Sequence, residues 1–225
     1  MEDEAADDLT PEEARVLGCL LEKEMATPEY YPMTANALQA ACNQKTSRDP
    51  IMAMGSDEVE AAVEGLRVQK LAAHISMAGS RVPKFKHTLD REFGALERPH
   101  LALLAVLLLR GRQSGAELRS RCERLYRFSD QDAADAALDN LVAYEKRPLA
   151  RRIPPGGGHR TTTYVSLLCG EDTGAEAAPG PEATRDAPTG GGAAMRRVDE
   201  RLDALEQEVA ALKNEVDALR EALGG

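Results

Sequence analysis

The chain predicts a mainly α-helical fold with small β-hairpins, organised as tandem winged helix-turn-helix domains plus a C-terminal coiled-coil helix. Three observations predict it. Before residue 170, an order of three helices followed by a basic-tipped hairpin is written twice. Only 4% of the 225 residues are aromatic and Trp is absent, so the cores must be built from Leu, Val, Ala and Met, which suits small helical domains better than a β-sandwich. Beyond residue 195, apolar residues recur at spacings of four and three. The expected boundaries are an acidic disordered tail over 1–8, winged-helix domains over 9–96 and 97–170, a flexible linker over 171–195 and a coiled-coil helix over 196–222.

The first helix carries a full set of start signals: Thr10 as cap, Pro11 at the first position and Glu13 at the third, closing a capping box. Ala14, Leu17, Leu20 and Leu21 follow a helical period. Thr34 caps a second helix with Leu38 and Ala41 inward, and Ser56 caps a third with Val59, Val63 and Leu66 in one stripe. LAAHISM then reads as a strand, AGSR as a turn and VPKFKHTL as the returning strand, with Pro83 restricting that strand to an edge or a bulge.

The second copy begins near Arg98. RPHLALLAVLLLRG is its apolar first helix, Ser114 caps GAELRSRCERLY, and Ser129 caps DQDAADAALDNLVAY. LARRI, PPGGGHR and TTTYVSLL supply strand, loop and strand. From Gly170 to Met195 the composition falls to Gly, Ala, Pro, Thr and acidic residues, which bury too little apolar area to offset ordering.

In the last segment Leu202, Val209 and Val216 fall at a positions, and Val198, Leu205, Leu212 and Leu219 at d. That division favours a parallel two-stranded coil, hence a homodimer. The g-to-e pairs of such a dimer, Arg201 with Glu206, Glu208 with Lys213 and Glu215 with Arg220, are all attractive. Each contributes only about 0.3–0.5 kcal/mol. The competing reading is an amphipathic helix folded back on the preceding domains.

Cys19, Cys42, Cys122 and Cys169 are far apart with no C-x-x-C, so they read as buried free thiols of a reducing compartment and not as a zinc site. The N-terminus MEDEAADD is acidic where a signal peptide is basic, and the apolar run from Leu101 to Leu109 is too short to span a bilayer. A cytoplasmic protein with no membrane contact is expected. The four histidines, His74, His87, His100 and His159, are dispersed and match no metalloenzyme spacing. PPGGGHR lacks the GxxxxGK[ST] arrangement of a phosphate loop. The expectation is no enzyme, no cofactor and no metal.

The net charge is −10, but it is unevenly spread: residues 1–96 hold 10 basic and 17 acidic groups, and residues 97–168 hold 12 and 8. Phosphate contact, if made, should lean on the second domain. Candidate phosphate-contacting residues are Arg81, Lys84 and Lys86 on the first hairpin, Arg119 and Arg121 on the helix after Ser114, and Arg151, Arg152 and Arg160 on the second hairpin. A charged, solvated loop is the plain alternative for these groups. A polar connection, Asn43, Gln44, Lys45 and Arg48, offers amides and cations to a partner or a nucleic acid, or serves as an ordered joint whose side chains cap nearby backbone. The third helices argue against the usual major-groove role: one carries Asp57, Glu58, Glu60 and Glu64, the other Asp130, Asp132, Asp135 and Asp139.

The segments LTPEEARVLGCLLEKEMATPEYYPMTANALQAACNQKTSRDPIM, LLLRGRQSGAELRSR and YRFSD closely resemble the YceH-like family of bacterial proteins of unknown function, over about residues 9–171. The resemblance implies tandem winged-helix domains and supplies no reaction, ligand or DNA site; the linker and heptads lie beyond it. The leading functional reading is a dimeric nucleic-acid-associated or transcription-regulator-like protein that contacts duplex DNA. The alternative is a protein-interaction module that uses winged-helix domains as scaffolds for a protein partner.

Replacing Leu205 and Leu212 together by polar residues is expected to lower the mass measured in solution by light scattering; an unchanged mass would remove the heptads as the dimer seam.

Overall fold

The computed structural model describes residues 8–76, 82–94, 96–156 and 159–170. The predicted N-terminal tail over 1–7, the linker and the heptad positions from Val198 to Leu219 lie outside the described residues, as do Arg81, Gly157 and Gly158.

Helix α1 (Pro11–Ala26) starts as the sequence predicts: the Thr10 hydroxyl accepts from Glu13 N–H at 3.2 Å and the Glu13 carboxylate accepts from Thr10 N–H at 2.9 Å. A short 3-10 turn (Pro28–Tyr30) leads to β1 (Met33–Thr34) and α2 (Ala35–Cys42), where the Thr34 hydroxyl caps Ala37 N–H at 3.3 Å. Helix α3 (Ser56–Val68) begins one residue earlier than expected. Gly55 is its cap, because the Glu58 carboxylate reaches back to Gly55 N–H at 2.7 Å and leaves Ser56 inside the helix.

Strands β2 (Ala72–Ile75) and β3 (Lys84–His87) form the hairpin, and α4 (Leu89–Phe93), which the sequence reading did not anticipate, turns the chain toward the second set of elements. That set repeats the order: α5 (Arg98–Arg110), β4 (Gln113–Ser114), α6 (Gly115–Arg121), α7 (Gln131–Val142), β5 (Ala150–Ile153) and β6 (Thr163–Ser166). Ser114 caps α6 through a capping box with Glu117. Asp130, not Ser129, caps α7, its carboxylate accepting from Ala133 N–H at 2.8 Å while the Ser129 hydroxyl donates to the same carboxylate at 3.1 Å. An ionised acceptor at the positive end of the helix wins over a neutral hydroxyl one residue away. Helix α6 is also shorter than its apolar pattern suggested, ending at Arg121 with Cys122 as its cap.

Both sheets are antiparallel and three-stranded, ordered β1-β3-β2 and β4-β6-β5. In the first, Met33 pairs Phe85 and Ala73 pairs Lys86; in the second, Gln113 pairs Tyr164 and Arg151 pairs Val165. The returning strand β3 is thus central, not the edge that Pro83 seemed to require. Pro83 stands one residue before β3, so its missing N–H falls outside the ladder and costs no hydrogen bond. The edge strands β1 and β4 are two residues long, each directly preceding the helix its last residue caps.

The helices of both sets line one continuous apolar core. Its centre is α5, in which every residue from Leu101 to Leu109 is buried, packed along α1. At about 2 kcal/mol for each fully buried leucine, this helix contributes the largest block of apolar burial among the described residues. Gly18 permits the approach: a Cβ there would stand 2.8 and 2.9 Å from the Leu109 side chain and 3.1 Å from Leu108. Backbone ties join the two sets of elements, with Leu9 N–H donating to Leu168 C=O and Asp49 N–H to Leu109 C=O, both at 2.8 Å.

Gly18→Val should therefore destabilise the protein by about 1–3 kcal/mol or more through overpacking. Urea unfolding followed by circular dichroism checks this; an unchanged midpoint would contradict the close α1–α5 approach.

Candidate nucleic-acid interface

The polar connection between α2 and α3 turns out to be a joint built inward. The Arg48 side chain is fully buried. Its guanidinium donates twice to the Glu22 carboxylate of α1, at 2.6 and 3.1 Å, twice to Ala41 C=O, at 3.0 and 3.2 Å, and once each to Ser47 C=O and the Gln44 amide. Asn43 clamps the far side, accepting from Met54 N–H at 2.7 Å and donating to Met54 C=O at 2.9 Å. Gln44 also accepts from Lys23 at 3.4 Å. Of the four candidates in this stretch only Lys45 is exposed. Arg48 is corrected from a partner contact to a structural cation, since a guanidinium with its donors spent on carbonyls and a carboxylate has none left for a phosphate.

The first hairpin places Lys84 and Lys86 on the same side of β3, opposite Phe85 and His87, which turn toward the core. Both lysines are half-buried. The buried His87 ring is held by Glu24 on one nitrogen and accepts from Leu89 N–H at 3.3 Å on the other, while Tyr31 Oη accepts from His87 N–H at 2.7 Å. Burial and the nearby Glu24 charge push the Tyr31 hydroxyl well above its ordinary pKa, so it stays neutral in this role.

In the second set the arginines divide into engaged and open groups. Arg152 pairs with Asp139 on α7 and lies over the Tyr164 ring at 5.7 Å. Arg121 pairs with Glu117 at 3.4 Å, Arg127 with Glu123 at 3.1 Å, and Arg112 donates to the Thr163 hydroxyl at 2.6 Å. Lys146 bonds Glu92 at 2.9 Å, and Arg147 lies over Phe93 at 5.6 Å, so this basic pair joins the two sets of elements. Arg119, Arg124 and Arg160 are exposed, and among the described residues none has a carboxylate within 4.0 Å. Arg151 is half-buried on β5.

Burial works against ionisation of Glu117, but hydrogen bonds from Ser114 and the charges of Arg121 and His159 hold its carboxyl below the ordinary range. The outward residues of the third helices are acidic instead: Asp57, Glu58, Glu60 and Glu64 on α3, Asp132 and Asp139 on α7. Among the described residues, Arg67, paired with Glu64, and Arg152, paired with Asp139, offset them through ion pairs.

An open cleft of about 500 Å³ between the start of α5 and α7 is lined by Pro99, His100, Tyr126, Phe128, Ala137 and Asn140. Its histidine is a helix cap, accepting from Glu97 N–H at 3.1 Å, and burial lowers its pKa. Among the described residues there is no group of three or more His, Cys, Asp and Glu side chains able to hold a metal, and no helix is long and apolar enough to cross a membrane.

Residues 9–159 match the family described as "Protein of unknown function, DUF480". The chain belongs to this family. It is 40% identical over 222 residues to UPF0502 protein YceH of Escherichia fergusonii, covering 96% of this chain and 98% of that relative. A UPF0502 protein of Mesorhizobium japonicum is 46% identical over 214 residues, covering 94% of this chain and 96% of the relative, and one of Pelobacter propionicus is 43% identical over 207 residues, covering 91% and 93%. Coverage of this extent carries the likeness past residue 171, where the sequence resemblance stopped, into the segment that holds the heptads.

Arg15, Glu22 and Glu24 are chemistry-bearing residues that sequence reasoning did not single out for the roles they take. Glu22→Gln is expected to cost about 3 kcal/mol by leaving Arg48 buried without its counter-charge. Thermal or urea unfolding checks it, and stability equal to the parent would return Arg48 to the surface candidates.

Proposed function

We propose that the two sets of elements are tandem winged helix-turn-helix units and that the protein is a non-catalytic, cytoplasmic nucleic-acid-associated regulator, dimeric through its heptads. It grips duplex DNA by the phosphate backbone with its second unit. The observation that carries this reading is a group of exposed arginines with no carboxylate partner among the described residues, Arg119 on α6, Arg124 in the turn after it and Arg160 at the hairpin, within residues 97–168, which hold 12 basic and 8 acidic groups. Guanidiniums left open in this way keep their donors for phosphate oxygens.

The mode is led by α6 and the hairpin and not by the third helix. Helix α7 offers Asp132 and Asp139 outward, and a carboxylate pushed into the major groove meets the phosphates on both sides. Lys84 and Lys86 of the first hairpin, Lys45 of the joint and Arg151 of β5 are secondary contacts. Contacts of this kind bind many sequences with similar strength, so selection of a particular site calls for base contacts beyond these residues.

A second reading is favoured by one specific feature, the acidic outward faces of α3 and α7. A basic protein surface is the partner such faces fit, with the winged units serving as scaffold.

Binding of the full chain to mixed duplex DNA at several salt concentrations tests the proposal. Joint substitution of Arg119, Arg124 and Arg160 by Ala should weaken binding across unrelated sequences and flatten the salt dependence by about one unit of slope per lost contact. Affinity and slope equal to the parent, with the fold retained, would sink the phosphate grip. A complex with a protein that survives nuclease treatment, without DNA binding at low salt, would put the second reading in its place.

A further inference from the structure

The open cleft between the start of α5 and α7 plays no part in the proposed grip on duplex phosphates. Its volume, about 500 Å³, falls within the roughly 300–1,000 Å³ of small-molecule sites. Ala133, Ala136, Ala137 and Asn140 line it from α7 at positions i, i+3, i+4 and i+7, hence from one face of that helix. The alanine methyls leave a shallow floor where longer side chains would fill the space. Beside it stand two rings from the turn between α6 and α7. Tyr126, half-buried, and Phe128, buried, meet edge to face with centroids 4.9 Å apart.

The polar groups around this apolar surface have hydrogen-bonding capacity to spare. His100 Nδ1 accepts from Glu97 N–H at 3.1 Å, and burial lowers the pKa of the ring. The imidazole is therefore neutral at neutral pH, with its proton on Nε2 as a donor. Among the described residues, His100 Nε2, the Tyr126 hydroxyl and the Asn140 amide have no hydrogen-bond partner in the protein. Glu97 lends the same wall a carboxylate. Arg127 lines the rim with its side chain 80% exposed, and its pair with Glu123 at 3.1 Å is a solvated one that a stronger anion displaces.

We propose that this cleft is a nucleotide site, with a nucleobase over the alanines against Tyr126 and its phosphate at Arg127. Each part of a nucleotide meets its chemical counterpart here. The π-face of the base packs on the aromatic ring and the methyls. Acceptors on the base edge take the His100 Nε2–H and the Asn140 amide, and an exocyclic amine donates to Glu97, which suits adenine, guanine or cytosine. The Glu97 charge keeps the phosphate off that wall and leaves it to Arg127.

A base inside a duplex has its faces stacked and its pairing edge engaged, so the cleft takes an unpaired one. Its source is a free nucleotide or a single strand. The site is independent of the grip on duplex phosphates, since neither needs the other.

Titration of the full-length protein with AMP, GMP and CMP, followed by amide NMR, tests this, with ribose 5-phosphate as the base-free control. At least one of the three should give saturable shifts centred on His100, Tyr126, Phe128 and Asn140, and ribose 5-phosphate should not. Ala136→Glu, at an exposed helical position, puts a carboxylate on the floor and should weaken binding at least about tenfold. Asn140→Ala should weaken it about threefold or more. Asn140 is exposed, so this variant decides if Ala136→Glu fails to fold by circular dichroism. A single strand of about ten nucleotides carrying the same bases is titrated in parallel. Binding of a mononucleotide identifies the free form as the source; strand binding without it, at the same residues and lost in Ala136→Glu, identifies the strand. Silence from every probe, equal binding of ribose 5-phosphate, shifts centred elsewhere, or parent affinity in the folded variants would overturn the site. No arm contains a duplex, so failure here leaves the phosphate grip standing, and failure of the grip leaves this result standing.

Discussion

Everything else in this structure depends on α1 lying against α5 over Gly18. The two sets of elements each contain a three-stranded sheet too small to cover an apolar face alone. Their first helices solve this together, because α5 is buried along its whole apolar length and α1 supplies the surface that buries it. Small domains of this size are marginal when separate, so sharing one core places both hairpins on a single support. The Leu9 to Leu168 and Asp49 to Leu109 hydrogen bonds tie the backbone across the same seam.

From this support the charges are sorted. Arg15 and Arg48 are drawn inside the first set, where their donors satisfy carbonyls at the end of α2 and in the joint. Lys146 and Arg147 are drawn to α4. Exposed arginines, Arg119, Arg124 and Arg160, mark α6, the turn after it and the second hairpin, and exposed carboxylates predominate among the charges on α3 and α7. Net charge alone, −10, hides this separation of signs. A surface with both signs, held on one support, fits the proposed grip on phosphates led by α6 and the second hairpin.

Much of the local structure was legible because it rests on short-range chemistry. Thr10, Thr34 and Ser114 were readable as caps, since a hydroxyl before a helical period has no better competitor nearby. Ser56 and Ser129 were each one residue off for the same reason reversed: a stronger acceptor, Glu58 in one case and Asp130 in the other, decides where the helix starts. Strands β1 and β4 left no trace because two residues cannot show a period of two. The site was less legible. A polar run such as Asn43 to Arg48 looks exposed in sequence, and only the tertiary placement of Glu22 and of the end of α2 turns it inward. Likewise Arg15 sits in an apolar stripe, where its charge gave no hint of its bonds to Cys42 C=O and Pro50 C=O.

The measurement that tests the account most directly is hydrogen exchange of the full-length protein with and without duplex DNA at low salt, resolved to peptides. The account predicts protection over α6, the following turn through Arg127 and the β5–β6 hairpin, with α3 and α7 unchanged on their acidic faces. Protection centred on α3 or α7, or no protection anywhere, would contradict it.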